Sequence, residues 1–161
     1  MTANELNQNL APCETDTNDI EYVVCHVGLL WRRLVNAKIK ALGICGTEKR
    51  VLFCVGRMPG LTQVQVANFL DLEPQNIIRT LDKLEQQNWI EKRPAPQDRR
   101  AKCLFVTTSG KKMIQQIKAL TDSLKPQILS GLSEQQLQTI INHLSVMREN
   151  LLTQLAVEDN S

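Results

Sequence analysis

Long hydrophobic runs are missing from this 161-residue chain. No apolar stretch approaches the roughly 18 residues that a membrane span needs. The opening MTANELNQNLAPCE has no basic start followed by an apolar stretch, so it does not read as a secretory signal. The expectation is a cytoplasmic protein with no membrane partner. Paired cysteine is missing too. The five cysteines stand at 13, 25, 45, 54 and 103, an odd count at wide spacing without a CxxC, and His26 and His143 are the only histidines. A disulfide framework or a zinc site built on paired ligands has no support, and no metal or cofactor is expected. There is no phosphate-binding glycine loop and no GxSxG nucleophile motif. Cys25 and His26 are neighbours, and on a helix adjacent side chains diverge by about 100°, which rules out a nucleophile–base dyad. These absences argue against an enzyme. Basic charge is absent from the first 21 residues, which carry Glu5, Glu14, Asp16, Asp19 and Glu21 and no Lys or Arg.

What is present is ordinary in bulk and uneven in distribution. Hydrophobic residues make up 42% and charged residues 22%, as in folded globular domains. The length suits one domain, or a small domain with dimerisation arms. Net charge is only +2. Residues 92–112, however, hold Lys92, Arg93, Arg99, Arg100, Lys102, Lys111 and Lys112 against Asp98 alone. A basic segment in a near-neutral chain suits a phosphate-contacting surface, and a solvated loop fits the same charge pattern.

Residues 1–18 are polar, aperiodic and interrupted by Pro12, the pattern of an arm. Ile20, Val23, Val24, Val27, Leu30, Trp31, Leu34, Val35, Ile39 and Leu42 then recur at steps of three and four, which predicts a long helix ended near Gly43. Thr47 is placed to cap a helix over about 47–58 with Val51, Leu52 and Val55 inward, ended by Met58-Pro59-Gly60. Thr62 with Gln65 has capping-box spacing and opens a short helix, with Val64, Val66, Ala67, Phe69 and Leu70 as its apolar face. Pro74 suits the first position of the next helix, which runs to about Gln87 with Ile77, Ile78, Leu81 and Leu84 as its stripe. Asn88 fits a left-handed C-terminal residue. Two strand-like runs, 89–93 and 102–107, flank the turn-rich Pro94–Arg100 and predict a hairpin with a long tip. Thr107 or Thr108 caps a helix carrying Met113, Ile114, Ile117, Leu120, Leu124 and Ile128, with a kink expected at Pro126. Ser133 with Gln136 opens a last helix carrying Leu137, Ile140, Ile141, Leu144, Met147, Leu151 and Leu155, and residues 156–161 are expected to fray.

The fold class that follows is mainly α with a small β-hairpin wing (α+β): a winged helix-turn-helix with N- and C-terminal dimerisation helices. The predicted division is an arm (1–18), an N-terminal dimerisation helix (19–45), a winged lobe (46–107), C-terminal dimerisation helices (108–155) and a tail (156–161). In such a lobe the second helix of the pair enters the major groove of DNA. Gln75, Asn76, Arg79, Thr80 and Lys83 lie opposite its apolar stripe. Gln and Asn pair with adenine, and Arg with guanine. An arginine on a thin loop suits the electronegative minor groove, and Arg99 is the candidate, with Asp98, Arg100 and Lys102 beside it.

The stretch LEPQNIIRTLDKLEQQNWIEKRPAPQDRRAKCLFVTTSG over Leu72–Gly110, with WRRLVNAKIKALG earlier, resembles MarR-type transcriptional regulators of the SlyA/RovA branch. The features that carry the resemblance are EP opening a helix, RTLDKLE within it, the DRRAK wing and the T-x-x-G that follows. The likeness spans about residues 19–155. It implies a homodimer controlling transcription at palindromic double-stranded DNA operators, Arg79 as the recognition-helix arginine, Arg99 as the minor-groove arginine, and Asp98 with Arg100 as the wing's acidic-basic pair. Asn76 stands where the family favours Ser or Thr, and Asn88 where it favours Gly. The outer helices would interlock with a second chain, with Ile20, Val24, Leu137, Ile141, Leu144 and Leu151 at the interface. A stripe of that size left exposed invites association, whereas a three-helix pack within one chain is the alternative.

Relatives of this type respond to small aromatic acids. Trp31, Arg32 and Arg33 are the residues that could serve a carboxylate of that kind. The competing reading makes Trp31 core and both arginines solvated. A redox-sensing regulator of the same fold would use Cys25, although burial and inertness are the commoner outcome for cysteine. A winged helix serving a protein partner is the remaining alternative, since fold does not fix function.

Overall fold

The computed structural model describes residues 19–94 and 102–158. Those residues form six α-helices and one two-stranded antiparallel sheet. The chain divides into two compact units, 1–122 and 123–161. Among the described residues no helix is long and apolar enough to cross a membrane.

Helix α1 (Ile20–Ile39) starts at Asp19, whose carboxylate accepts the Glu21 N–H at 2.8 Å. A 3-10 turn over Lys40–Leu42 extends it to Gly43, which stops it at φ 74°. Only Val35 and Ile39 of its stripe are buried; Ile20, Val23, Val24, Val27, Leu30 and Leu34 are exposed. The periodic signal was therefore helical, but in this chain most of that stripe is not core.

Helix α2 (Gly46–Arg57) is capped by Cys45 and not by Thr47. The Glu48 carboxylate reaches back to the Cys45 N–H at 2.9 Å, which satisfies an amide that has no partner within the helix. Val51, Leu52 and Val55 are buried as expected. Helix α3 (Gln63–Leu70) has the predicted reciprocal cap. The Thr62 N–H donates to Gln65 Oε1 at 2.9 Å, and the Gln65 N–H to Thr62 Oγ1 at 3.3 Å. Its apolar face is narrower than predicted: Val66 and Ala67 are buried, while Val64 and Phe69 are exposed. Two turns of helix place only one narrow strip against a neighbour. Asp71 ends α3 in the left-handed region, at φ 50°, and the Leu72 N–H returns to Ala67 O at 2.9 Å. That six-to-one closure is the Schellman arrangement. Arg50 adds a guanidinium donor to Leu70 O at 2.5 Å, a cation at a helix C-terminus.

Helix α4 (Pro74–Gln86) has Pro74 at its first position. Ile77, Leu81 and Leu84 are buried, whereas Ile78, predicted in the same stripe, is exposed. Positions 77, 81 and 84 share a face at steps of four and three; Ile78 lies about 100° around the helix. Asn88 adopts φ 56° and the Trp89 N–H closes onto Leu84 O at 2.9 Å.

Strands β1 (Ile90–Pro94) and β2 (Lys102–Val106) pair antiparallel, from Ile90 opposite Val106 to Pro94 opposite Lys102. Ile90 and Leu104 point into the core. A third short pairing carries no sequence signal. Thr62 bridges Cys103, with Gly60 N–H to Leu104 O and Leu104 N–H to Leu61 O both at 2.9 Å. Helix α5 (Thr108–Ile128) is capped by Thr107, whose Oγ1 accepts the Gly110 N–H at 3.0 Å and donates to Asn88 O at 2.6 Å. A Cβ on Gly110 would stand 2.0 Å from Trp89 O, so the T-x-x-G pattern marks a close approach that only glycine permits. Pro126 lies inside the last turn of α5, and the helix continues to Ile128 without a break.

In the second unit, helix α6 (Glu134–Glu158) opens on the predicted Ser133–Gln136 box, with bonds of 2.8 and 3.3 Å. It runs past Leu155, so residues 156–158 are helical and not frayed. None of its residues is buried.

Candidate nucleic-acid interface

The buried face of α4 fixes what its other face presents. With Ile77, Leu81 and Leu84 inside, Gln75, Asn76 and Arg79 stand exposed on the N-terminal half. Residues 75 and 79 are one turn apart, as are 76 and 80, so the set shares one side. Thr80 is half-buried. Its hydroxyl donates to Asn76 O at 2.7 Å, which leaves only its oxygen lone pairs for a partner. Arg79 makes no ion pair among the described residues. Two amides and an unpaired guanidinium thus project from the start of a helix braced by α3.

Lys83 is placed differently. Its ammonium lies 2.5 Å from Glu48 Oε1, and the Glu48 side chain is only 6% exposed. Burial pushes the Glu48 carboxyl up, but the Lys83 and Cys45 donors together hold it below its ordinary value; the same carboxylate holds Lys83 above its own. Sequence reading missed Glu48 altogether. Its position three residues after a helix cap was the available signal.

Two members of the basic segment are also engaged. Lys92 sits 2.7 Å from Asp82 and 2.8 Å from Glu85. Burial lowers its affinity for the proton, and the two carboxylates more than restore it, leaving it raised. Arg93 pairs with Glu91 and lies 4.5 Å from the centre of the Phe105 ring. Lys102 is exposed at the start of β2. Asp98, Arg99 and Arg100 lie outside the described residues.

The other candidate residues fall apart into separate places. Arg32 and Arg33 line a 350 Å³ cleft between α1 and α2, with Lys49 and Arg50 across from them and Cys45, Gly46 and Thr47 at its edge. Burial holds the Lys49 ammonium below its ordinary value. Trp31 is half-buried and is not part of that lining, so it forms no aromatic wall in this cleft. Cys25 is exposed, against the expectation of burial. Of the residues expected at a chain–chain interface, Ile20, Val24, Ile141, Leu144 and Leu151 are exposed and Leu137 is half-buried.

A helix pair with a braced second helix, followed directly by a two-stranded wing, defines a winged helix-turn-helix protein. Residues 46–102, the lobe just described, match the model of the MarR family. Solved structures share the fold over most of the chain. Apo wild-type MarR from Escherichia coli is 23% identical with a TM-score of 0.75, over 80% of this chain and 95% of that one. An Escherichia coli MarR variant complexed with operator DNA is 22% identical with a TM-score of 0.68, over 85% and 99%. The transcriptional regulator SlyA is 22% identical with a TM-score of 0.69, over 83% and 94%.

Proposed function

We propose that this protein is a sequence-specific, DNA-binding transcriptional regulator that acts as a homodimer on pseudo-palindromic operators. The observation that carries the reading is the exposed Gln75–Asn76–Arg79 set at the start of a helix whose opposite face is fully buried. MarR-family proteins are transcription regulators and not enzymes, and a relative of the same fold has been solved on operator DNA. In this reading α4 reads base edges in the major groove. Arg79 takes guanine, and Gln75 and Asn76 take adenine. Arg99, flanked by Asp98 and Arg100, enters the minor groove, and Lys102 holds a phosphate at the base of the wing. The exposed faces of α1 and α6 associate with a second copy. Two recognition helices then lie about 34–36 Å apart, one turn of DNA. Such a protein works in the cytoplasm, on the nucleoid.

The experiment is selection of genomic fragments by the purified protein at moderate salt, followed by sequencing. One pseudo-palindromic motif with half-sites a turn apart is the expected result. Arg99→Ala should then lower affinity for all sequences, and Arg79→Ala should lower it for the motif more than for mixed sequence. Binding that ignores salt, or no enrichment, would favour a protein partner for the winged helix.

A second reading concerns regulation. The cleft bearing Arg32, Arg33, Lys49 and Arg50 suits a small carboxylate effector, because an anion would relieve the crowding of cations and restore the proton affinity that burial takes from Lys49. Without Trp31 in the lining, the charge of the ligand matters more than an aromatic ring. Calorimetric titration with salicylate and with acetate tests it. Absence of saturable heat with either anion would remove the effector site.

A further inference from the structure

We propose that Glu48 is a specificity-determining residue: by holding Lys83, it keeps a cation of the recognition helix away from DNA phosphate. The inference rests on the DNA-binding reading above. Lys83 follows Arg79 by one turn on α4, and its side chain is 51% exposed, so its stem has room to swing. Its ammonium nevertheless points back to α2, onto Glu48 Oε1 at 2.5 Å, while Glu48 Oε2 accepts the Cys45 N–H at 2.9 Å. Both carboxylate oxygens are occupied. Moving Lys83 to a phosphate would leave a buried carboxylate without its counter-charge, and such a group is expensive to strand. A solvated phosphate offers less in exchange, because that contact is screened.

The same arrangement recurs beside it. Lys92 is taken by Asp82 and Glu85 of α4. Lys83 and Lys92 are thereby both engaged, and Arg79 is left as the free cation on the helix among the described residues. Phosphate contacts add affinity without sequence information. Removing them from the recognition helix leaves base readout to decide where the protein sits. Arg79 discriminates; Lys83, if released, would only add attraction for any duplex.

The test is the salt dependence of binding to a short mixed-sequence duplex and to a duplex carrying the selected motif, for the parent, Glu48→Gln, Lys83→Met and the double variant. Glu48→Gln should bind mixed sequence more tightly, and its slope of log affinity against log salt should steepen by about 0.9 for each Lys83 freed. Its ratio of motif to mixed-sequence affinity should fall. Lys83→Met alone should leave the parent slope unchanged. The double variant, which strands no buried charge, should return to the parent slope. A loss of one phosphate contact in Lys83→Met or in the double variant would show that Lys83 already touches DNA and would overturn the proposal. Coincident slopes for the parent and Glu48→Gln would also overturn it, as would weaker binding at an unchanged slope, the mark of a purely structural role. A parent that shows no salt-dependent affinity for either duplex would remove the DNA-binding reading itself, and this inference with it.

Discussion

Leu81 in α4 and Leu151 in α6 are the same side chain in opposite circumstances: one is 1% exposed and the other 61%. The contrast extends to the regions around them. The winged lobe internalises its apolar residues, with Val51, Leu52, Val55, Val66, Ile77, Leu84, Ile90 and Leu104 all buried. Helix α6 is also rich in apolar residues, spread more widely around it, and buries none of them, and the first half of α1 likewise leaves its apolar residues exposed. A buried leucine contributes about 1.5–3 kcal/mol relative to an exposed one. The lobe therefore collects its stabilisation within one chain. On the homodimer reading, the outer helices hold theirs in reserve until a second copy covers them. Periodicity reveals that a face is apolar; it does not reveal whose side chains will cover it.

The most drastic way to break the comparison is to charge the outer face. Ile141→Glu with Leu144→Glu places two carboxylates on α6 where nothing is buried within the chain. On the homodimer reading the mass in sedimentation equilibrium falls to that of one 18.2 kDa chain, while the β-hairpin and α4 keep their amide protection. An unchanged mass would mean that α6 does not carry the contact between copies.

The next largest effect separates the two leucines directly. Leu81→Ala should destabilise the lobe by about 2–5 kcal/mol in urea, at any protein concentration, because it opens a cavity in a closed core. Leu151→Ala should cost stability only in proportion to how fully a second chain covers it, and its midpoint should move with protein concentration. Equal, concentration-independent losses would place both residues in one intrachain core.

What was legible in the sequence divides along the distance between interacting residues. The Thr62–Gln65 and Ser133–Gln136 boxes, Pro74 at a helix start, the left-handed Asn88 and the Thr107 cap involve residues within three or four positions of each other, and the chain near them contains all the chemistry needed. The exposure of Phe69 and Ile78, the bridge from Thr62 to Cys103 and the capture of Lys92 by Asp82 and Glu85 depend on which neighbour packs where. Local spacing is silent on that. Glu48 joins both kinds. Its bond to Cys45 was readable from position, whereas its hold on Lys83, across two helices, was not. For the same reason the basic segment looked freer in the sequence than the structure shows.

Acid probes the lobe through that ion pair. The Glu48 carboxyl is held below its ordinary 4.5, so its contribution is present above that value and is lost as pH falls through the depressed one. Lys83 is held above its ordinary 10.5, so its contribution is complete below 10.5 and is lost as pH rises through the elevated value. The pair therefore acts across the neutral range. The fall in stability on the acid side should be shallower in Glu48→Gln than in the parent, measured as urea midpoint against pH. Parallel acid limbs would mean that Glu48 does not carry the dependence.

The smallest effect expected lies at the joint between the recognition helix and the wing. Asn88 holds φ 56°, a conformation that costs an L-residue roughly 1–2 kcal/mol, less for asparagine, and that glycine adopts freely. Its carbonyl accepts the Thr107 hydroxyl at 2.6 Å, and this bond uses backbone alone and survives the substitution. Asn88→Gly should therefore raise stability by a few tenths of a kcal/mol, the relief of strain exceeding the added freedom of the unfolded chain. A loss of stability instead would mean that the asparagine side chain contributes to the joint, and that the local reading of this position, which rests on backbone conformation, left something out.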